Sequence, residues 1–149
     1  MRIGIIGLGN PLRGDDAIGI VVIDELKKLG INKNVELVDG GEVGLNLLHH
    51  LQRFDRVLII DAVDFGGRFG ETKLFNINDI TFNNLCLSSH EINICKIVDI
   101  LRLIGDVPDM FIFGIQPKEM DYNEDLSNEL NIKTITEETL EVINMLVNI

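Results

Sequence analysis

Apolar residues along the chain fall into two kinds of run that alternate. The first kind is short and rich in Ile and Val: Arg2–Gly7 (RIGIIG), Val35–Val38, Val57–Ile60 (VLII) and Met110–Ile115 (MFIFGI). Runs apolar at every position, VLII above all, suit central parallel strands covered on both faces. The second kind has helical spacing. Ile18, Val21, Val22 and Leu26 predict a helix over 17–28, with Leu29 closing the stripe and Gly30 as the stop. Val43, Leu47, Leu48 and Leu51 predict the next helix. Ile92, Cys95, Val98 and the Leu/Ile stretch to Ile104 predict a third, with Ser88 or Ser89 as cap and Glu91 near its positive end. A capping box, Thr134 with Glu137, precedes Leu140, Ile143, Leu146 and Val147. Thr72–Phe75 reads as a shorter or edge strand. Residues 76–87 have the least periodicity and read as a long connection with a turn of helix.

This alternation predicts one α/β domain over residues 1–149. Its expected form is a three-layer α/β/α sandwich around a mostly parallel twisted sheet, of the phosphorylase/hydrolase-like kind. In such sheets ligands gather beyond the carboxyl ends of the strands, where strand order reverses. The polar residues that end the strands are therefore the ones to examine.

Composition narrows the reading. With 149 residues, 46% hydrophobic and 25% charged, the chain can build a substantial core without a disulfide framework or a metal staple. The two cysteines, Cys86 and Cys95, are expected to be ordinary thiols. No signal-peptide pattern or long apolar run occurs, so a cytoplasmic protein with no membrane insertion is expected. The net charge of −11 disfavours nucleic acid as a partner.

The loop GLGNPLRGDD after the first strand invites a dinucleotide reading, but Leu12 occupies the place of the third glycine of G-x-G-x-x-G. Asp15 and Asp16 also put negative charge where a pyrophosphate would sit. One of them suffices to cap the helix, and the other is available to the crevice. Asp61, directly after VLII, is either a cap or a group held for a ligand; Asp39 supports the same reading more weakly. Asp64 reads as a turn former beside Gly66 and Gly67. His49 and His50 lie on a predicted helix, where one packs and the other faces water. His90 differs, since it starts a helix at the sheet edge. Asp16, Asp61 and His90, from three separate loops, make a plausible N/O ligand set for a transition metal, with coordination positions left open. No H-E-x-x-H, C-x-x-C or Ser-His-Asp signal is present.

The opening MRIGIIGLGNPLRGDDAIG, the DGG at 39–41, VLIIDAVDFGG at 57–67, SSH at 88–90 and FGIQP at 113–117 together resemble the nickel–iron hydrogenase maturation endopeptidases, most nearly the hydrogenase 3-type branch. The resemblance implies a peptidase that trims the C-terminal extension from the hydrogenase large-subunit precursor after nickel insertion. It places the metal-contacting and catalytic positions on Asp16, Asp61 and His90. The nickel is implied to belong to the substrate, with no tightly bound cofactor of the protease's own. The family is filed with aspartic peptidases, although no shared-proton dyad is assigned here. The chain ends soon after its last helix, and no role is expected for a tail of the kind some relatives possess. A monomer is expected, and Gly40 and Gly41 are expected to line the substrate cleft, because paired glycines permit φ > 0 and close backbone approach. Two alternatives stand. One is a precursor-binding maturation factor that recognises nickel without cutting. The other, weaker, is a peptidyl-tRNA hydrolase-like enzyme, which shares GLGNP but continues with a histidine-bearing segment absent here.

Overall fold

A computed structural model describes residues 1–10, 14–31, 34–79, 94–118 and 130–149, with the backbone alone at Asp15 and Asp16. Among these residues the chain forms one five-stranded sheet. Its strands are β1 (Ile3–Leu8), β2 (Val35–Gly41), β3 (Arg56–Ala62), β4 (Thr72–Asn76) and β5 (Asp109–Ile115). Their order is β2-β1-β3-β5-β4. The pairs β1·β2, β1·β3 and β3·β5 are parallel, and β4 joins the edge antiparallel to β5. The expected three-layer architecture is therefore present, with Thr72–Phe75 in the edge position anticipated for it.

Helices α1 (Ile18–Leu29) and α4 (Ile132–Val147) cover one face, and α2 (Asn46–Leu51) and α3 (Ile94–Ile104) cover the other. The run VLII explains this directly, because successive strand side chains point to opposite faces. Val57 and Ile59 pack with Leu47, Leu51, Ile97 and Leu101; Leu58 and Ile60 pack with Ile18, Val22, Leu26 and Leu146. No helix of the described residues is long and apolar enough to cross a membrane.

Three local expectations are corrected. Leu29 does not close the α1 stripe: it is 58% exposed, and Gly30 ends the helix at φ 62. The last helix starts before the predicted box. Asn131 is its N-cap, with its side-chain oxygen accepting from the Thr134 N–H at 3.0 Å. Asn is as good a cap as Thr. Cys95, half-buried on α3, is disulfide-bonded rather than a thiol. Cys86 lies outside the described residues.

The amino ends of the strands are tied by Arg56. Its Nε donates to Asp109 at 2.9 Å, and one guanidinium nitrogen donates to the Leu146 carbonyl at 2.6 Å and to the Ile149 carbonyl at 3.3 Å. A cation at the carboxyl end of α4 complements the helix dipole and satisfies carbonyls left without helical partners.

Candidate active site

Strand order reverses at β1. The chain passes from β1 to β2 on one side, then crosses to β3 on the other. The carboxyl ends of β1 and β3 thus flank the switch point, and the segments there are the β1–α1 loop and the residues around Asp61. After β1 a turn of 3-10 helix, Gly14–Ala17, contains Asp15 and Asp16 and packs against β3. Asp61 is the sixth residue of β3, opposite Gly114 of β5, and half-buried. Its Oδ1 accepts from the Ala62 N–H at 2.8 Å.

What brings these two segments together is Gly19. A side chain there would overlap the carbonyl oxygens of Ile60 and Leu8, and one on Gly7 would overlap the Gly19 carbonyl. The first full turn of α1 is therefore seated directly on the ends of β1 and β3. The dinucleotide fingerprint reserves its third glycine for this kind of close packing. Here Leu12 holds that place in the sequence, and the close approach is made seven residues later. Gly19 was not singled out from the sequence, where a glycine inside a helical stripe reads only as a propensity cost of about 1 kcal/mol.

The Gly40–Gly41 pair divides its duties. Between Gly7 and Leu8 the register with β2 slips, so that Gly7 faces Asp39 and Leu8 faces Gly41. Gly40 is the extra residue of this bulge. A Cβ on it would come within 2.7 Å of Ile6 and 2.9 Å of Leu8. Gly41 has φ 64 and open space around it, and its carbonyl accepts from the Gly9 N–H at 2.9 Å. Asp39 is exposed and accepts from the Gly41 N–H at 3.1 Å, which makes it a turn former.

Asp64 is likewise a turn former, accepting from the Gly66 N–H at 3.1 Å. It also accepts from the Gln116 side-chain amide at 3.0 Å. The Gln116 bond first, and the Gly66 N–H second, hold its carboxyl below the ordinary value of 3.8, with slight burial opposing them. His49 is exposed and His50 half-buried, with its Nδ1 buried and without a hydrogen-bond partner among the described residues. This matches the division between a packed and a solvated histidine.

Of the three predicted site residues, Asp16 and Asp61 lie on segments that meet at the switch point. The Asp16 side chain and the whole of His90 lie outside the described residues. Among the described residues no group of three His, Cys, Asp or Glu side chains gathers.

A mostly parallel five-stranded sheet covered by helices on both faces, with Asp61 near the carboxyl end of β3 beside the switch point, defines a three-layer α/β domain. Comparison with known proteins sharpens this class. The sequence profile of the hydrogenase maturation protease family, HycI, matches residues 20–145, and the chain belongs to that family. It is 31% identical over 91% of its length to the hydrogenase expression/formation protein HoxM of Cupriavidus necator, covering 68% of that protein. To the hydrogenase expression/formation protein HupD of Bradyrhizobium diazoefficiens it is 29% identical over 80% of its length, covering 65% of that protein. The chain thus spans about two thirds of the length of these curated relatives. Against the crystal structure of the nickel–iron hydrogenase maturation protease HycI from Thermococcus kodakarensis KOD1, the TM-score is 0.76 at 27% identity, covering 99% of this chain and 93% of that one.

Proposed function

We propose that this protein is an endopeptidase that removes the C-terminal extension of a nickel-loaded hydrogenase large-subunit precursor. The observation that carries the reading is the seating of the Gly14–Ala17 turn against β3. It brings the backbone of Asp16 to the strand end that bears Asp61, in a chain of the maturation protease family. Peptide hydrolysis requires an activated water, a polarised carbonyl and a protonated leaving amine. A carboxylate at the switch point is suited to the first of these, and Asp16 or Asp61 is the candidate general base.

In this reading nickel arrives with the precursor and belongs to the substrate. Asp16, Asp61 and His90 are N/O donors of the kind that nickel accepts. By gripping an ion already held by the precursor, they fix the scissile bond against the crevice, so that recognition becomes positioning. The aspartic class is retained only in the sense that carboxylates do the work. The test uses the purified chain with purified nickel-loaded precursor, followed by intact mass. Loss of a discrete C-terminal peptide is expected. A stable complex whose precursor keeps its full mass would make the protein a binding factor instead.

A further inference from the structure

We propose that Gln116, through its side-chain amide, is a positioning residue that clamps the loop after β3 and so fixes Asp61 at the crevice. Gln116 follows β5 directly and is only 6% exposed. Its Oε1 accepts from the Phe65 N–H at 2.9 Å and from the Gly67 N–H at 3.0 Å. Its Nε2 donates to Asp64 at 3.0 Å and faces the Pro117 carbonyl at 3.5 Å. The reversed amide would set its N–H groups against two N–H donors and its oxygen against a carboxylate, so one orientation is enforced.

The backbone of Gln116 closes the far end of the same loop. Its N–H donates to the Glu71 carbonyl at 2.8 Å, and its carbonyl accepts from the Gly70 N–H at 3.0 Å. The near end is held by the strand: Asp61 stands opposite Gly114, and the Val63 N–H donates to the Ile115 carbonyl at 3.0 Å. From Asp61 to Glu71 the chain is therefore tied to Gly114 and Ile115, the last two residues of β5, and to Gln116 just beyond it. Beyond Val63, Gln116 takes part in the hydrogen bonds at Asp64, Phe65, Gly67, Gly70 and Glu71 among the described residues. A buried amide with its bonds satisfied rigidifies such a loop, and removing it leaves the part-buried Phe65 and Gly67 N–H groups without that acceptor. Nothing in this arrangement requires Gln116 to touch substrate.

The inference rests on the functional reading above, and two variants test it. Gln116→Ala removes the clamp, and the Phe65 and Gly67 amides should exchange with solvent at least about tenfold faster while those of Leu58 and Ile112 keep their protection. Gln116→Glu keeps the acceptor but sets a carboxylate against Asp64. It should lower kcat about tenfold with KM and melting temperature little changed. Adding Asp64→Asn removes the facing carboxylate while its Oδ1 can still accept from the Gly66 N–H, and should recover part of the lost kcat. Wild-type kcat in Gln116→Glu, unchanged exchange in Gln116→Ala, or no recovery in the double variant would overturn the clamp. If the wild-type protein cuts no nickel-loaded precursor, it is the functional reading that fails, and this proposal falls with it.

Discussion

Gly19 lies against the carbonyl oxygen of Ile60 so closely that no side chain fits between the helix and the strand. This contact joins α1 to the end of β3 one residue before Asp61. It therefore sets the distance from the Gly14–Ala17 turn to the crevice.

Gly19→Ala is expected to destabilise the protein by about 3 kcal/mol, the upper end for over-packing, since the obstruction is backbone rather than a side chain that can rotate away. Denaturant unfolding measures it. Because α1 must lift to admit the methyl, folded variant should also cleave precursor more slowly than its folded fraction explains. An unchanged unfolding midpoint would contradict the close-packing role.

Asp16→Asn, Asp61→Asn and His90→Ala are each expected to reduce cleavage by at least about a hundredfold while the fold survives, because residues that act as a unit fail together. Circular dichroism and a cleavage assay on matched protein separate the two effects. Full activity in any one folded variant removes that residue from the site.

Gly40 and Gly41 should respond differently. Gly40→Ala presses on Ile6 and Leu8 and is expected to cost about 1–3 kcal/mol. Gly41→Ala meets no neighbour within 4 Å, and its cost is the left-handed backbone, about 1–2 kcal/mol, of which Gly41→Asn should recover part. If Gly41 lines the cleft, both Gly41 variants slow cleavage beyond their loss of stability. Cleavage that simply tracks folded fraction gives this glycine a turn role only.

The Asp64 carboxyl sits below its ordinary value in the folded state because it accepts from Gln116 and then from Gly66. A depressed folded value means that its contribution is present above the unfolded pKa and is lost as pH falls through the folded one. The loop from Asp64 to Gly67 should thus keep its hydrogen bonds until pH drops below 3.8. Titration of the Asp64 carboxyl by NMR checks this. A midpoint above 3.8 would contradict the Gln116 bond.

The sheet was largely legible because strands buried on both faces must be apolar at consecutive positions, as VLII is. The same logic put Asp61 at a strand end and Thr72–Phe75 at an edge. Gly19 was hidden because the need for a missing side chain arises from Ile60 and Leu8, which the fold brings near. Gln116 stood inside a motif, FGIQP, but its partners Asp64, Phe65 and Gly67 lie about fifty residues earlier and meet it only across the β3·β5 pair. The start of α4 was misplaced because Thr134–Glu137 satisfies the capping pattern as well as Asn131 does. Local pattern locates elements, while close approaches and side-chain clamps belong to the assembled sheet.

The most direct test of the proposed function compares nickel-loaded and nickel-free precursor at matched concentration and ionic strength, with intact mass recording cleavage. Directional coordination by Asp16, Asp61 and His90 demands an ion at one point, whereas attraction between an acidic surface and a basic tail is long-range and screened by salt. The loaded precursor should be shortened even when several residues of its extension are substituted, and the nickel-free precursor should stay intact. Equal cleavage rates with and without nickel would contradict recognition through the metal and leave a peptidase that reads the tail itself.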